Sequence, residues 1–132
     1  MTISETFCLD DLHIPGQTHH LTDRQGRSVI CDNEGSVTTV PAHVFSQLRV
    51  EIVELVGGVG FRNADGKYLA ANTDWGEKTS ISEQVFTAES HGDYQAFKSH
   101  IGEYLSIKDD GSLEMLMTSI VDDAQLFMRQ RG

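Results

Sequence analysis

Apolar residues in this chain occur in short runs, rich in Val, Ile, Leu, Phe and Tyr, that are separated by Gly, Asp and Asn. Such a pattern is typical of β-strands joined by tight turns. The segment 42–56 comes nearest to a helical period, but Val50 and Ile52 alternate with Arg49 and Glu51, which favours a half-buried strand. The pattern therefore predicts an all-β protein.

Three stretches share one arrangement of apolar and turn positions, and they are residues 20–37, 60–80 and 96–113. In each stretch a strand-like start leads to a first glycine turn, an apolar pair and a second glycine turn. The first turns contain Gly26, Gly66 and Gly102, and the second turns contain Gly35, Gly76 and Gly111. Glycine suits hairpin turns because it adopts positive φ at little steric cost.

A phenylalanine closes each copy, and the three recur at a constant spacing of 41 residues as Phe45, Phe86 and Phe127. Together with Val29, Leu69 and Leu105, these rings are expected to form layers of one core. Three pseudo-repeats of about 40 residues predict a β-trefoil, in which six strands close a barrel and three hairpins cap one end. Closure of the barrel removes exposed strand edges.

The length of 132 residues fits one domain, which we predict to be a single β-trefoil spanning residues 1–132. The repeats are expected at about 18–56, 57–93 and 94–132. Residues 1–17 do not fit the repeat, and we expect them to form an N-terminal strand or a tail.

Charge and cysteine content limit which classes of partner and which cellular compartment are expected. The net charge of -10 disfavours nucleic acid and anionic lipid, which both reward basic surfaces. No apolar run reaches the roughly 18 residues of a membrane span, so stable membrane insertion is not expected. The first residues carry acids and no basic region, unlike a signal peptide. Cys8 and Cys31 make no disulfide framework, and a cytoplasmic protein is predicted.

The third copy resembles the repeat of the fascin-like β-trefoil family, the actin-crosslinking type that includes fascin and hisactophilin. Its matching residues are Phe97, Lys98, Gly102, Tyr104, Leu105 and Ser106. The second copy matches at Phe61, Arg62, Gly66, Lys67, Tyr68, Leu69 and Ala70. The first copy keeps Leu21, Gly26, Arg27 and Val29, with Ser28 in place of the tyrosine. The resemblance covers about residues 18–132.

The resemblance implies a non-enzymatic module that binds a protein partner such as filamentous actin through basic surface residues. Because actin filaments are acidic, the partner-binding surface needs local positive potential. The candidates near the first turns are Arg24, Arg27, Arg62, Lys67 and Lys98.

Catalytic and metal-binding patterns are not found in the sequence. The pair His19-His20 would face opposite sides of a strand, and no Cys/His spacing of a zinc site occurs. Asp109 and Asp110 lack the spaced acids of a calcium loop. We therefore predict no catalytic residues, no metal and no cofactor.

Trp75 supports a different function. It follows Asn72 and Asp74 in the second turn region of the second copy, and no other copy has an aromatic residue there. An exposed ring can stack on the apolar face of a sugar while Asn and Asp bind hydroxyls. The competing interpretation is that Trp75 folds over one end of the barrel as a plug.

Three hypotheses follow. Recognition of a protein, with actin as the leading partner, comes first. A carbohydrate-binding lectin that uses Asn72, Asp74 and Trp75 is the alternative. Protease inhibition, which β-trefoils also support through their loops, ranks last because no reactive loop stands out. The oligomeric state is left open.

Overall fold

The computed structural model describes residues 14–16, 19–41, 43–44, 46–76, 84–119 and 121–131. These residues form twelve β-strands, with a short 3-10 helix at Asp123–Gln125. The first unit contains β1 His19–Asp23, β2 Ser28–Cys31, β3 Val37–Val40 and β4 Glu51–Leu55. The second contains β5 Gly58–Arg62, β6 Tyr68–Leu69, β7 Trp75–Gly76 and β8 Thr87–His91. The third contains β9 Tyr94–Lys98, β10 Tyr104–Ile107, β11 Leu113–Leu116 and β12 Phe127–Arg131.

The first and fourth strands of each unit close a six-stranded antiparallel barrel. Strand β1 pairs with β4 and with β12, β4 pairs with β5, and β9 pairs with β8 and with β12. A bridge between Val59 and Phe86 joins the remaining neighbours, β5 and the start of β8. The other six strands form the hairpins β2–β3, β6–β7 and β10–β11. This arrangement confirms the predicted β-trefoil.

The core lies inside the barrel and is built from the predicted apolar positions. Val29, Leu69 and Leu105 are fully buried, one from each unit, as are Phe86 and Phe127. Phe45, the third predicted ring, lies outside the described residues. Two further rings complete the cluster, since Phe61 and Phe97 meet edge to face with centroids 4.9 Å apart. Hydrophobic burial of these side chains is the main stabilising contribution expected for a domain of this size.

The first turn of each unit is closed by the side chain of its leading residue. Asn63 Oδ1 accepts the N–H groups of Asp65 at 3.0 Å and Lys67 at 2.9 Å. Asp23 caps the first unit in the same way, and Ser99 caps the third through its hydroxyl. Because Asx and Ser side chains imitate backbone turns, these residues hold the three loops in one shape.

The second turns depart from the sequence prediction in the second unit. Gly35 and Gly111 adopt positive φ as expected, at 85° and 88°, but the equivalent residue is Thr73, with φ 67°. Gly76 lies in strand β7 instead. The turn closes early because β6 has two residues where β2 and β10 have four. The prediction that Gly76 forms the second turn was therefore wrong.

The N-terminal segment meets the barrel near β4, where Ile14 donates its N–H to the carbonyl oxygen of Glu54 at 2.9 Å. The rest of the predicted strand or tail, including Cys8, lies outside the described residues, apart from residues 15 and 16. The repeat boundaries 18–56, 57–93 and 94–132 within one domain stay a proposal. Within the described ranges, no helix is long and apolar enough to cross a membrane.

Candidate functional site

Three clefts open at the hairpin end of the barrel, each where the second turn of one unit faces the first turn of the next. Cleft A, of about 340 Å³, is lined by the segments 33–35, 63–67 and 73–75. Cleft B, of about 560 Å³, is lined by 71–73, 100–103 and 113–115 together with Lys108. Cleft C, of about 600 Å³, is lined by 23–27, 107–109 and 122–124. The threefold fold thus offers three similar cavities with different side chains.

Trp75 forms part of the wall of cleft A and also packs against the core. It pairs with Leu69 across the β6–β7 hairpin, and the residue is half-buried. A Cβ placed on Gly35 would lie 3.6 Å from Trp75 Cδ1, so the indole reaches the neighbouring hairpin. Its Nε1 is buried and makes no hydrogen bond with the described residues. Trp75 thus packs on the core, as the plug interpretation proposes, and its ring also borders cleft A.

The short second hairpin explains why an aromatic residue occurs in this unit. Val37 and Leu113 hold the matching position in the other hairpins, directly after the second turn and opposite Cys31 and Ile107. Both of these residues also contact or belong to the core cluster. Since β6 and β7 are two residues each, a larger side chain is needed to reach from the barrel to the tip of the first hairpin.

The predicted sugar-binding residues are divided between two clefts. Asp74 and Trp75 line cleft A, whereas Asn72 lines cleft B. Asn72 Nδ2 donates to Asp74 Oδ2 at 3.1 Å, and Asn72 Oδ1 accepts the N–H of Asp74 at 3.0 Å. Thr73, the left-handed residue between them, borders both cavities. Asn72 thus orients the carboxylate of Asp74 and does not itself face the indole's cleft.

Two carboxylates of cleft A were not among the predicted site residues. Glu34 comes from the tip of the first hairpin and Asp65 from the first turn of the second unit. Both are exposed, and neither carboxylate is seen to bond to another described residue. Nothing in the sequence marks them, because each is an ordinary turn residue. The fold alone brings them to one cleft with Trp75.

Each of the three predicted arginines is paired with a carboxylate. Arg27 lies 2.7 Å from Asp23. In the same way Arg62 lies 2.6 Å from Glu51, which accepts from two of its nitrogens. The guanidinium of Arg24 reaches Asp123 at 3.0 Å and also lies over the ring of Tyr94. Pairing of this kind cancels most of the positive potential that an acidic partner would need.

The two lysines differ from each other. Lys98 Nζ lies 3.9 Å from Glu89 and 5.5 Å from the ring centre of Tyr104. The hydroxyl of Tyr104 donates to the same Glu89 at 2.7 Å, and this hydrogen bond raises the pKa of Tyr104. Lys67 is exposed, lines cleft A and makes no ion pair with the described residues. The five cations are thus spread over several surfaces rather than collected on one.

No group of three His, Cys, Asp or Glu side chains in the described part of the chain is placed to hold a metal ion. Cys31 is a buried free thiol, and burial raises its pKa. A raised thiol pKa disfavours the reactive thiolate.

Comparison with known proteins gives structural matches only. No protein-family model matches the chain, and no curated protein matches it. Hisactophilin, described as similar to interleukin-1β and fibroblast growth factor, superposes with a TM-score of 0.71 at 18% identity over 89% of this chain and 100% of its own. An endo-β-galactosidase from Clostridium perfringens gives 0.73 at 11% identity over 88% of this chain. A Polyporus squamosus lectin bound to a sialylated epitope gives 0.67 at 13% over 89%.

The structural matches cover different fractions of these three proteins. This chain spans 32% of the galactosidase chain and 50% of the lectin chain, but the whole of hisactophilin. At such low identities the superpositions bear on the fold and not on the ligand. They show that the chain has the β-trefoil fold.

Proposed function

We propose that this chain is a non-enzymatic recognition module that binds carbohydrate in cleft A. The observation that carries the proposal is Trp75, since no other Trp, Tyr or Phe among the described residues lines any of the three clefts. An indole provides a flat apolar surface for the C–H face of a pyranose ring. The volume of about 340 Å³ lies in the range of small-ligand sites.

Trp75 is also costly as a packing residue. A buried polar group without a hydrogen bond costs about 1–3 kcal/mol, and Trp75 Nε1 has none within the described structure. Val37 and Leu113 occupy the matching positions without any polar atom. The short hairpin calls for a large side chain, but a phenyl ring would meet that need without a polar atom, so the indole supports a ligand in addition to packing.

Polar groups around the indole supply the hydrogen bonds that a sugar requires. Glu34, Asp65 and Asp74 accept from sugar hydroxyls, and Lys67 donates to ring or hydroxyl oxygens. Asn72 keeps Asp74 in place through two hydrogen bonds. A few polar groups beside an aromatic wall are the usual composition of a binding site of this size.

The experiment is a glycan array probed with the full chain, followed by calorimetry on any glycan that binds. Trp75→Leu keeps an apolar side chain like that of Leu113 and should weaken binding about tenfold or more, because stacking is lost. Asp109→Asn, an exposed change in cleft C, is the control and should leave affinity unchanged. Because the proposed module is non-enzymatic, the bound glycans should be recovered uncleaved. A silent array, or full affinity in the Trp75→Leu protein, would refute the proposal.

A protein partner such as filamentous actin is the second candidate function. It is supported by the resemblance to the fascin-like repeat and by Lys67, which is exposed and without an ion pair among the described residues. It ranks second because Arg24, Arg27, Arg62 and Lys98 all have carboxylate neighbours. Cosedimentation with actin filaments at low salt tests it, with Lys67→Glu expected to reduce pelleting. A chain that stays in the supernatant contradicts it.

The buried free thiol of Cys31 is consistent with a reducing compartment, and we propose the cytoplasm as the location.

A further inference from the structure

Cleft A has a charge pattern that restricts the sugar it can accept. Glu34, Asp65 and Asp74 set three carboxylates against the single ammonium of Lys67. The carboxylates come from three different turns that line the cavity. The chain as a whole carries a net charge of -10, which adds to the negative potential. The cleft therefore repels anionic ligands and attracts cationic ones.

The carboxylates also differ in how much they are engaged. Asp74 already accepts a hydrogen bond from Asn72 at 3.1 Å. Glu34 and Asp65 are exposed and bond to no other described side chain. Asp32, in the same turn as Glu34, is engaged instead, since its Oδ1 accepts the N–H groups of Glu34 and Ser36 and closes the turn. Among the described residues, neither Glu34 nor Asp65 has a side-chain hydrogen bond or ion pair that would compete with a ligand.

We propose that cleft A selects a sugar bearing a free amine, with its pyranose ring on Trp75 and its ammonium group paired with Glu34 and Asp65. This inference rests on the proposed carbohydrate function and deepens it. An ammonium has three N–H donors, which suits two carboxylates supplied by two different turns. Acetylation of the amine removes both the charge and two of those donors, so an N-acetylated sugar loses the pairing. Sialylated or sulfated sugars meet repulsion from the same carboxylates.

Neither of the other clefts offers the same combination. Cleft B has the aliphatic side chains of Ile101, Leu113 and Met115, and its Lys108 lies 3.9 Å from Glu114. In cleft C the acids are largely occupied, since Asp23 pairs with Arg27 and Asp123 with Arg24. An indole beside two unengaged carboxylates is found in cleft A alone among the three described cavities.

The test follows the fluorescence of Trp75, which reports on cleft A because the chain has a single tryptophan. The probes are β-1,4-linked glucosamine oligomers, N-acetylglucosamine oligomers of the same length and glucose oligomers. We expect the glucosamine oligomer to bind about five to ten times more tightly than the acetylated one, as two partly exposed ion pairs would give. Raising the salt from about 20 mM to about 0.5 M should remove most of this preference.

Variants that remove charges show which residues cause the preference for the glucosamine oligomer. The double variant Glu34→Gln/Asp65→Asn should bind all three oligomers about equally. The control Glu103→Gln/Asp109→Asn removes two charges from clefts B and C and should keep the preference. Spermidine distinguishes an amino sugar from a simple cation, and we expect it to compete far more weakly than the oligomer and not to quench Trp75, because it has no ring to stack on the indole.

Each alternative result is decisive. Equal affinity for the glucosamine and N-acetylglucosamine oligomers would overturn the amine selectivity and leave carbohydrate binding standing. Spermidine that competes as well as the oligomer would show that the cleft attracts any cation, which also overturns the inference. If no oligosaccharide changes the fluorescence and the glycan array is silent too, the proposed function fails together with the inference.

Discussion

Gly35 and Trp75 link the first two hairpins of the cap. Gly35 has φ 85° at the tip of the β2–β3 hairpin, and a Cβ there would lie 3.6 Å from Trp75 Cδ1 in β7. Gly111 repeats this relationship between the third and first hairpins, where a Cβ would lie 3.0 Å from the backbone nitrogen of Thr39. The tips of the first and third hairpins thus each pack on a neighbouring hairpin, and cleft A lies beside the first of these contacts.

The glycines of these turns should differ in how well they tolerate alanine. Gly66→Ala places a side chain at φ 82° with nothing within 4 Å, so only the left-handed backbone costs free energy, about 1–2 kcal/mol. Gly35→Ala should cost the same, because 3.6 Å is an ordinary contact. Gly111→Ala should cost about 1–3 kcal/mol more, since Thr38 and Thr39 lie within 3.2 Å. Urea unfolding of the three variants measures this order, and equal losses at positions 66 and 111 would contradict the tight packing.

Thr73 should be replaceable by glycine with a gain in stability. It adopts φ 67°, which is unfavourable for a β-branched residue, and its hydroxyl donates to the Asn72 carbonyl oxygen at 2.6 Å. Thr73→Gly relieves the strain and should raise the free energy of unfolding by about 1 kcal/mol, the typical cost of a left-handed residue. Thr73→Ala keeps a Cβ at the same φ and serves as the control, expected to give no gain. Both variants lose the hydroxyl, so a glycine variant no more stable than the alanine variant would show that the turn is unstrained.

The all-β fold was predictable because the decisive signals are local. Alternation at Val50 and Ile52 correctly indicated strand β4, and the positions of Val29, Leu69 and Leu105 correctly indicated the core. Each residue needed only its own neighbours in sequence to be interpreted. The prediction of the barrel rested on the threefold repetition of about 40 residues, which a six-stranded barrel with three hairpins accommodates.

The second hairpin could not be predicted in the same way. Gly76 suggested a turn like those of Gly35 and Gly111, but hairpin length depends on where the two strands leave the barrel. The second turn of this unit closes two residues earlier than in the other two units, and Thr73 therefore takes the left-handed position. Sequence propensity argues against a threonine there, so only the packing of the whole cap selects this turn.

The candidate site was predictable in part. Trp75 and Asp74 were identified from residue type, because aromatic and carboxylate side chains recur in sugar sites. Glu34 and Asp65 were missed because they lie in turns of different units, which only tertiary packing brings to cleft A. The pairing of Arg24 with Asp123 was equally hidden, since the two residues are far apart in sequence.

The aromatic cluster of the core should dominate stability. Phe97 is fully buried, with its ring centre 4.9 Å from Phe61 and 5.9 Å from Phe127. Phe97→Ala should lower the free energy of unfolding by about 3–5 kcal/mol through lost burial and the cavity left behind. Ile101→Ala, four residues later at a position 57% exposed, should cost about 0.5 kcal/mol or less. Chemical denaturation compares the two, and similar losses would contradict the assignment of Phe97 to the core.

His20 should make stability depend on pH. It lies in β1 opposite Glu51, and its Nδ1 is buried without a hydrogen bond to the described residues. Burial, and next the charge of Arg49, lower the pKa of His20 below 6.5, while Glu51 opposes the shift and His19 adds slightly to it. The folded state therefore resists protonation.

Because the unfolded chain takes up this proton first as the pH falls through about 6.5, stability should be greatest above that pH and decrease below it. One proton limits the slope to about 1.4 kcal/mol per pH unit. Urea unfolding between about pH 7.5 and pH 5.5 measures the loss. His20→Gln should flatten the dependence, whereas His100→Gln, at an exposed turn position, should follow wild type. If the His20→Gln protein loses as much stability as the His100→Gln control over this range, the buried imidazole is not the source of the effect.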